Sequence, residues 1–204
     1  MRTLIFLFLL GCFSCCLTAC VTDLNEGPIN DPKGSDLVLQ VKGSNYLEIP
    51  FKAKFQTRAA EDSGDGLCSF VSPQDFWRKE HQVGSGNATH IGNFTTDLRF
   101  CFHIVLNDEG LPDFEGGFGE FTGSVNIITA NNGDQLFTKG NGSSIMPIQD
   151  EKYVLEFKHN IDVIGGTGRF ENASGGFINY GKVRSDGSGT DHVHEGIIIL
   201  KRPM

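Results

Sequence analysis

The stretch from Leu98 to Leu106 constrains this chain more than any other. Leu98, Phe100, Phe102, Ile104 and Leu106 occupy alternate positions, with Arg99, Cys101, His103 and Val105 between them. A period of two places the first set on one face of an extended strand, so that face is expected to be buried. The same alternation recurs in Ile49, Phe51, Ala53 and Phe55, and over 153–164 in Leu155, Phe157, Ile161 and Val163. Phe121, Gly123, Val125 and Ile127 suggest a further strand buried on that set, Leu136 and Phe137 another, and 192–200 a last one. Asn107-Asp108-Glu109-Gly110 and Asn131-Asn132-Gly133-Asp134 supply turns between them. Residues 58–66 read as a polar loop, and Ser72-Pro73-Gln74-Asp75 as either a short helix start or a turn. No helical period of any length competes. The composition agrees: 26 Gly and 17 Phe, against 3 Tyr and 1 Trp, suit short strands joined by tight turns. The expected class is all-β, as an antiparallel barrel or sandwich.

The first twenty residues carry a different kind of information. Arg2 precedes an apolar run from Leu4 to Leu10, and a small-residue stretch ends in Leu17-Thr18-Ala19-Cys20. A positive n-region, a short apolar core and a small-residue cleavage site form a secretory signal. The tetrapeptide resembles the lipobox of bacterial lipoproteins, and that resemblance implies cleavage before Cys20 and acylation of its thiol. The apolar run is short for a transmembrane span. Lipidation would tether the chain to a membrane, because several acyl chains hold stably where one holds marginally. Residues 1–19 are therefore expected to be a signal peptide, 20–36 a lipidated cysteine with a Pro- and Gly-containing tether, and 37–204 the folded domain. The lipoprotein resemblance places the chain in the bacterial cell envelope. Val21 rather than Asp after the lipidated cysteine favours the outer membrane where there are two.

The chain is acidic, with a formal net charge of −8. That argues against nucleic acid and anionic lipid headgroups as partners. Cys12, Cys15 and Cys16 would leave with the signal and Cys20 would carry lipid. Cys68 and Cys101 remain, either as a disulfide in an oxidising compartment or as two buried thiols.

Three segments carry a family likeness: Gly86-Asn87-Ala88-Thr89-His90-Ile91-Gly92, Ala130-Asn131-Asn132-Gly133-Asp134-Gln135-Leu136, and Gly165-Gly166-Thr167-Gly168-Arg169-Phe170-Glu171-Asn172-Ala173-Ser174-Gly175. In this order they resemble a group of secreted bacterial proteins. The third is also similar to a strand–turn element of allene oxide cyclase and the plant dirigent proteins. The resemblance covers roughly residues 45–200 and implies a single antiparallel barrel of about eight strands. The catalytic residues of the plant enzymes do not carry over to this chain. Within the third segment, Gly165, Gly166 and Gly168 read as a structural turn and Phe170 as its apolar anchor. No helix pattern follows to make it a dinucleotide fingerprint, and no Gly-Lys-Ser/Thr ending makes it a phosphate loop.

Candidate chemistry is sparse. His192 and His194 share one face of the last strand and could reach one metal ion, with His103 or Asp191 as a third ligand. The simpler reading, two solvent-facing histidines near a barrel rim, is the one adopted, and no metal or other cofactor is expected. Thr89 and His90 lack an acid to orient the ring and read as turn residues. Arg169 reads as one half of a salt bridge to Asp134 or Glu171. The Asn-X-Ser/Thr sequons at Asn87, Asn93, Asn141 and Asn172 read as chance products of composition. The expected function is a membrane-anchored, non-enzymatic lipoprotein whose barrel binds a small apolar ligand or a partner. The alternative is an isomerase or cyclase working in the barrel mouth. The interior discriminates: an eight-stranded barrel is either filled by side chains or holds one small ligand.

Overall fold

The alternating strands pair in chain order and close into a ring. The computed structural model describes residues 45–123 and 125–202, so the signal, the lipid-attachment site expected at Cys20 and the tether lie outside the described residues. The elements are β1 (Tyr46–Ala59), β2 (Leu67–Ser72), β3 (Asp75–Ala88), β4 (Gly92–Val105), β5 (Glu120–Phe121), β6 (Val125–Ala130), β7 (Gln135–Gly140), β8 (Ser143–Ser144), β9 (Met146–Pro147), β10 (Tyr153–Gly166), β11 (Ser174–Arg184) and β12 (Thr190–Lys201). Eight of them form the wall, each antiparallel to the next: β1, β3, β4, β6, β7, β10, β11 and β12. The last returns to the first, with Tyr46 opposite Lys201 and Thr57 opposite Thr190, which completes an up-and-down barrel without free edges. The other four are short additions at one end. β2 extends β3, β5 and β8 extend β4, and β9 pairs with β10.

One half of the barrel is packed solid. Phe51, Phe55, Phe94, Ile128, Leu136, Phe177 and Ile198 point inward from six strands and form a continuous apolar core. Phe170, on a single 3-10 turn at Gly168–Phe170, plugs the end below them. That turn is the Gly-rich motif at work. Gly168 sits at φ +56°, and a Cβ there would collide with the Asp134 carboxylate, so only glycine fits. Arg169 then pairs with Asp134 at 3.6 Å, the barrel-end salt bridge expected of it.

The wall curves by setting glycines opposite phenylalanines. Phe55 faces Gly86, Phe157 faces Gly181 and Phe177 faces Gly196, each pair in direct register. A Cβ at any of the three glycines would strike the facing phenylalanine. At Gly181 the Phe157 ring itself lies over bare backbone, and at Gly86 and Gly196 the facing chain approaches closely, which permits a tight bend.

One sequence expectation needs correction. Val125 and Ile127 do not face the core: Val125 is exposed, and the buried set on β6 is Asn126, Ile128 and Ala130. A polar residue on the inward face hid the phase. Asn126 is satisfied there, accepting from the Thr96 hydroxyl at 2.7 Å, with the Thr138 hydroxyl donating to its backbone carbonyl. Of the two readings open for residues 72–75, the turn holds: it is that of the β2–β3 hairpin.

Cys68 and Cys101 form a disulfide, with their Cα atoms 6.2 Å apart. It ties β2 to β4 on the outer surface of the wall. The closed loop spans 33 residues of sequence, so replacing both cysteines by serine is expected to lower stability by about 2–4 kcal/mol. Urea unfolding checks this, and an unchanged midpoint would mean β2 contributes nothing to the cooperative unit.

Candidate functional site

The other half of the barrel is hollow. A cavity of about 250 Å³ opens between the first residues of β3 and β10 and the last of β4 and β11. The face predicted from the Leu98–Leu106 alternation supplies one wall: Leu98, Phe100 and Phe102 all line it. Phe121, on β5 directly opposite Phe102, and Leu155 and Phe157 of β10 line it as well. The rings meet edge to face, Phe121 with Phe157 at 5.3 Å and with the imidazole of His159 at 5.2 Å.

Where the hollow meets the packed half, a row of polar side chains forms a floor. The Thr57 hydroxyl lies 2.8 Å from Gln82 Oε1 and 3.0 Å from His192 Nε2. His192 Nδ1 lies 3.3 Å from Asn179 Oδ1, and Asn179 Nδ2 donates to His159 Nε2 at 3.0 Å. The row crosses five strands, β3, β1, β12, β11 and β10. It arises because residues 57, 82, 159, 179 and 192 are all inward positions of the pleat at one level of the barrel.

The floor carries no charge near neutral pH. Burial pushes the His192 imidazole down to about 3, helped by the neighbouring His159. Burial alone lowers His159 to about 4. His194, one step deeper, is held well below its ordinary value by burial and then by His192 and His159. Not every polar atom of the floor is matched within it. Thr57 has one proton for two neighbours, and His159 Nδ1 is buried without a partner.

At the mouth, Arg78 and Glu80 face the cavity from β3. Arg78 Nε donates to Glu80 Oε1 at 2.7 Å, and Ser63 of the loop after β1 donates to Glu80 Oε2 at 2.6 Å. Their opposite charges are paired at the mouth, with Arg78 open to solvent.

The structure settles where the sequence candidates lie. His192 and His194 share a face, as the strand period requires, but that face is the barrel interior. They are 4% and 1% exposed, which overturns the solvent-facing reading. His192 stacks on Phe55 at 4.5 Å, and His194 packs between Phe55 and Phe177. Neither proposed third ligand joins them. His103 points out of the wall, stacked on Trp77 and hydrogen-bonded to Asp75 at 2.8 Å. Asp191 faces outward too, bound by Arg184 and Tyr153. Among the described residues no group of three or more His, Cys, Asp or Glu is placed to hold a metal. Thr89 is a turn residue, accepting from the Lys52 amide at 2.9 Å, and His90 holds a positive φ of 62° beside it. Gly165, Gly166, Gly168 and Phe170 belong to the sealed end, away from the cavity.

Sequence reasoning missed Thr57, Gln82, His159 and Asn179. His159 was within reach, because it falls on the same alternating face as Phe157 and Ile161. Compared with family models, curated proteins and solved structures, the chain matches none.

Proposed function

We propose that the barrel is a binding module for one small, largely apolar ligand, held at a bacterial envelope membrane by lipid on Cys20. The observation that carries the binding half is the asymmetry of the interior. Seven large apolar side chains fill one half, while the other keeps an open space with aromatic walls and a neutral polar floor. Pockets of this make-up, apolar with a few convergent polar groups, are the usual form of small-molecule sites. The membrane half rests on the signal-like run Leu4–Leu10 and the Leu17–Cys20 tetrapeptide. The ring of eight strands and the Gly165–Gly175 turn support grouping the domain with the allene oxide cyclase and dirigent-like barrels.

Native mass spectrometry of the chain purified from its own host tests the binding half. A small-molecule mass excess is expected, and it should be lost in Gly181→Ala. There the new methyl strikes the Phe157 ring and drives it toward the cavity. At least a tenfold loss of binding is expected, corresponding to about 1.4 kcal/mol, with the fold retained by circular dichroism. Undiminished binding by the variant would place the ligand elsewhere. For the anchor, Cys20→Ser should move the chain out of the membrane fraction, and continued pelleting with membranes would end that reading.

A further inference from the structure

Charge around the cavity selects among apolar ligands. The connections at the open end, 60–66, 106–119, 141–152 and 185–189, carry one cation, Lys152, against many carboxylates, among them Glu61, Asp62, Asp65, Asp108, Glu109 and Glu151. Arg58, Arg78, Lys79, Arg99 and Arg184 sit on the adjoining strand ends. Several of them are already matched: Arg78 to Glu80, Arg99 to Asp62 and Asp97, and Arg184 to Asp191. The field over the mouth is therefore negative, and a low-dielectric opening concentrates such a field.

Inside, the walls point the same way. Phe100, Phe102, Phe121 and Phe157 surround the space. An aromatic face is the negative side of the ring's quadrupole, so an ammonium lying over one of these rings is attracted and a carboxylate there is repelled. The floor is uncharged and offers no cation for an anion to meet. The one guanidinium lining the cavity has Glu80 against it, so an incoming carboxylate would have to face that carboxylate as well.

We infer that the ligand is an apolar amine, carried as its ammonium, and that lipophilic acids are rejected. This rests on the binding-module reading above. The apolar body fills the aromatic walls, and the ammonium is attracted both by the rings and by the carboxylates of the rim. At a volume of about 250 Å³ the space suits a body of one or two small rings.

Three probes of one shape test this by isothermal calorimetry at pH 7.5 and low salt: cyclohexylmethylammonium, cyclohexylmethanol and cyclohexanecarboxylate. The ammonium is expected to bind at least tenfold tighter than the alcohol, and the carboxylate weaker than either. Raising the salt from 20 to 300 mM should shrink the ammonium's advantage severalfold, because the rim charges are exposed and screened. A carboxylate that binds as tightly as the ammonium, or an alcohol that binds tightest, overturns the charge inference while leaving the binding module in place. Failure of all three to bind overturns the binding module itself.

Discussion

Lowering the pH from 7 to 5 is expected to remove on the order of 4–6 kcal/mol of folding stability. The cause is the set of buried neutral histidines, His159, His192 and His194, all of which titrate below their ordinary value in the folded chain. The unfolded chain takes up protons at those sites near pH 6.5, while the folded chain does not until about 4 at His159 and about 3 at His192. Stability is therefore complete above pH 6.5 and falls as the pH drops toward those lower values. Each such site contributes roughly 1.4 kcal/mol per pH unit inside that window. His81 acts in the opposite direction. Burial lowers its value, but hydrogen bonds to Asp62 and Asp97 outweigh that and raise it, so it favours the fold as the pH falls. One such group offsets only part of the loss from three. Urea midpoints measured from pH 8 to 4.5 check the result, and His192→Asn should flatten the slope by about one proton. A midpoint constant across that range would mean the three rings are not held neutral.

Phe51→Ala is expected to cost about 3–5 kcal/mol, the usual loss for a fully buried aromatic. Phe51 has no exposed surface and packs against Phe177 at 4.9 Å between ring centres. Its neighbours are held by a closed wall and cannot collapse into the space. Phe100→Ala, a similar deletion on the other side of the floor, should cost clearly less, about 1–2 kcal/mol, because that ring already borders open volume. The contrast between the two matters more than either value. Equal costs would mean that the two halves of the interior are packed alike.

The barrel was legible where several successive inward positions are apolar. In β1, Ile49, Phe51, Ala53 and Phe55 fall on the buried face as the alternation requires, and in β4 Leu98, Phe100 and Phe102 turn inward, half-buried, to line the cavity. Other strands around the site were harder to read for a physical reason. β3 presents Arg78, Glu80, Gln82, Gly84 and Gly86 to the interior, and β11 presents Gly181 and Asn179. Glycines that make room for a facing phenylalanine, and polar groups satisfied only by partners far away in sequence, leave no apolar period. Thr57 and His192 meet across 135 residues, a juxtaposition created by ring closure and by nothing local. The histidines on β12 show the same limit. Their common face follows from the pleat, but whether that face is water or core depends on seven other strands.

The half-hollow interior is tested most directly by methyl NMR of the folded chain titrated in turn with cyclohexylmethylammonium, cyclohexylmethanol and cyclohexanecarboxylate. Leu98, Ile145, Leu155 and Val183 border the open space, whereas Ile49, Ile128 and Ile198 lie in the packed half. Saturable shifts confined to the first four are expected, with the second three unmoved. Shifts spread over both sets, or none with any of the three at any concentration, would contradict a barrel filled on one side of the histidine floor and open on the other.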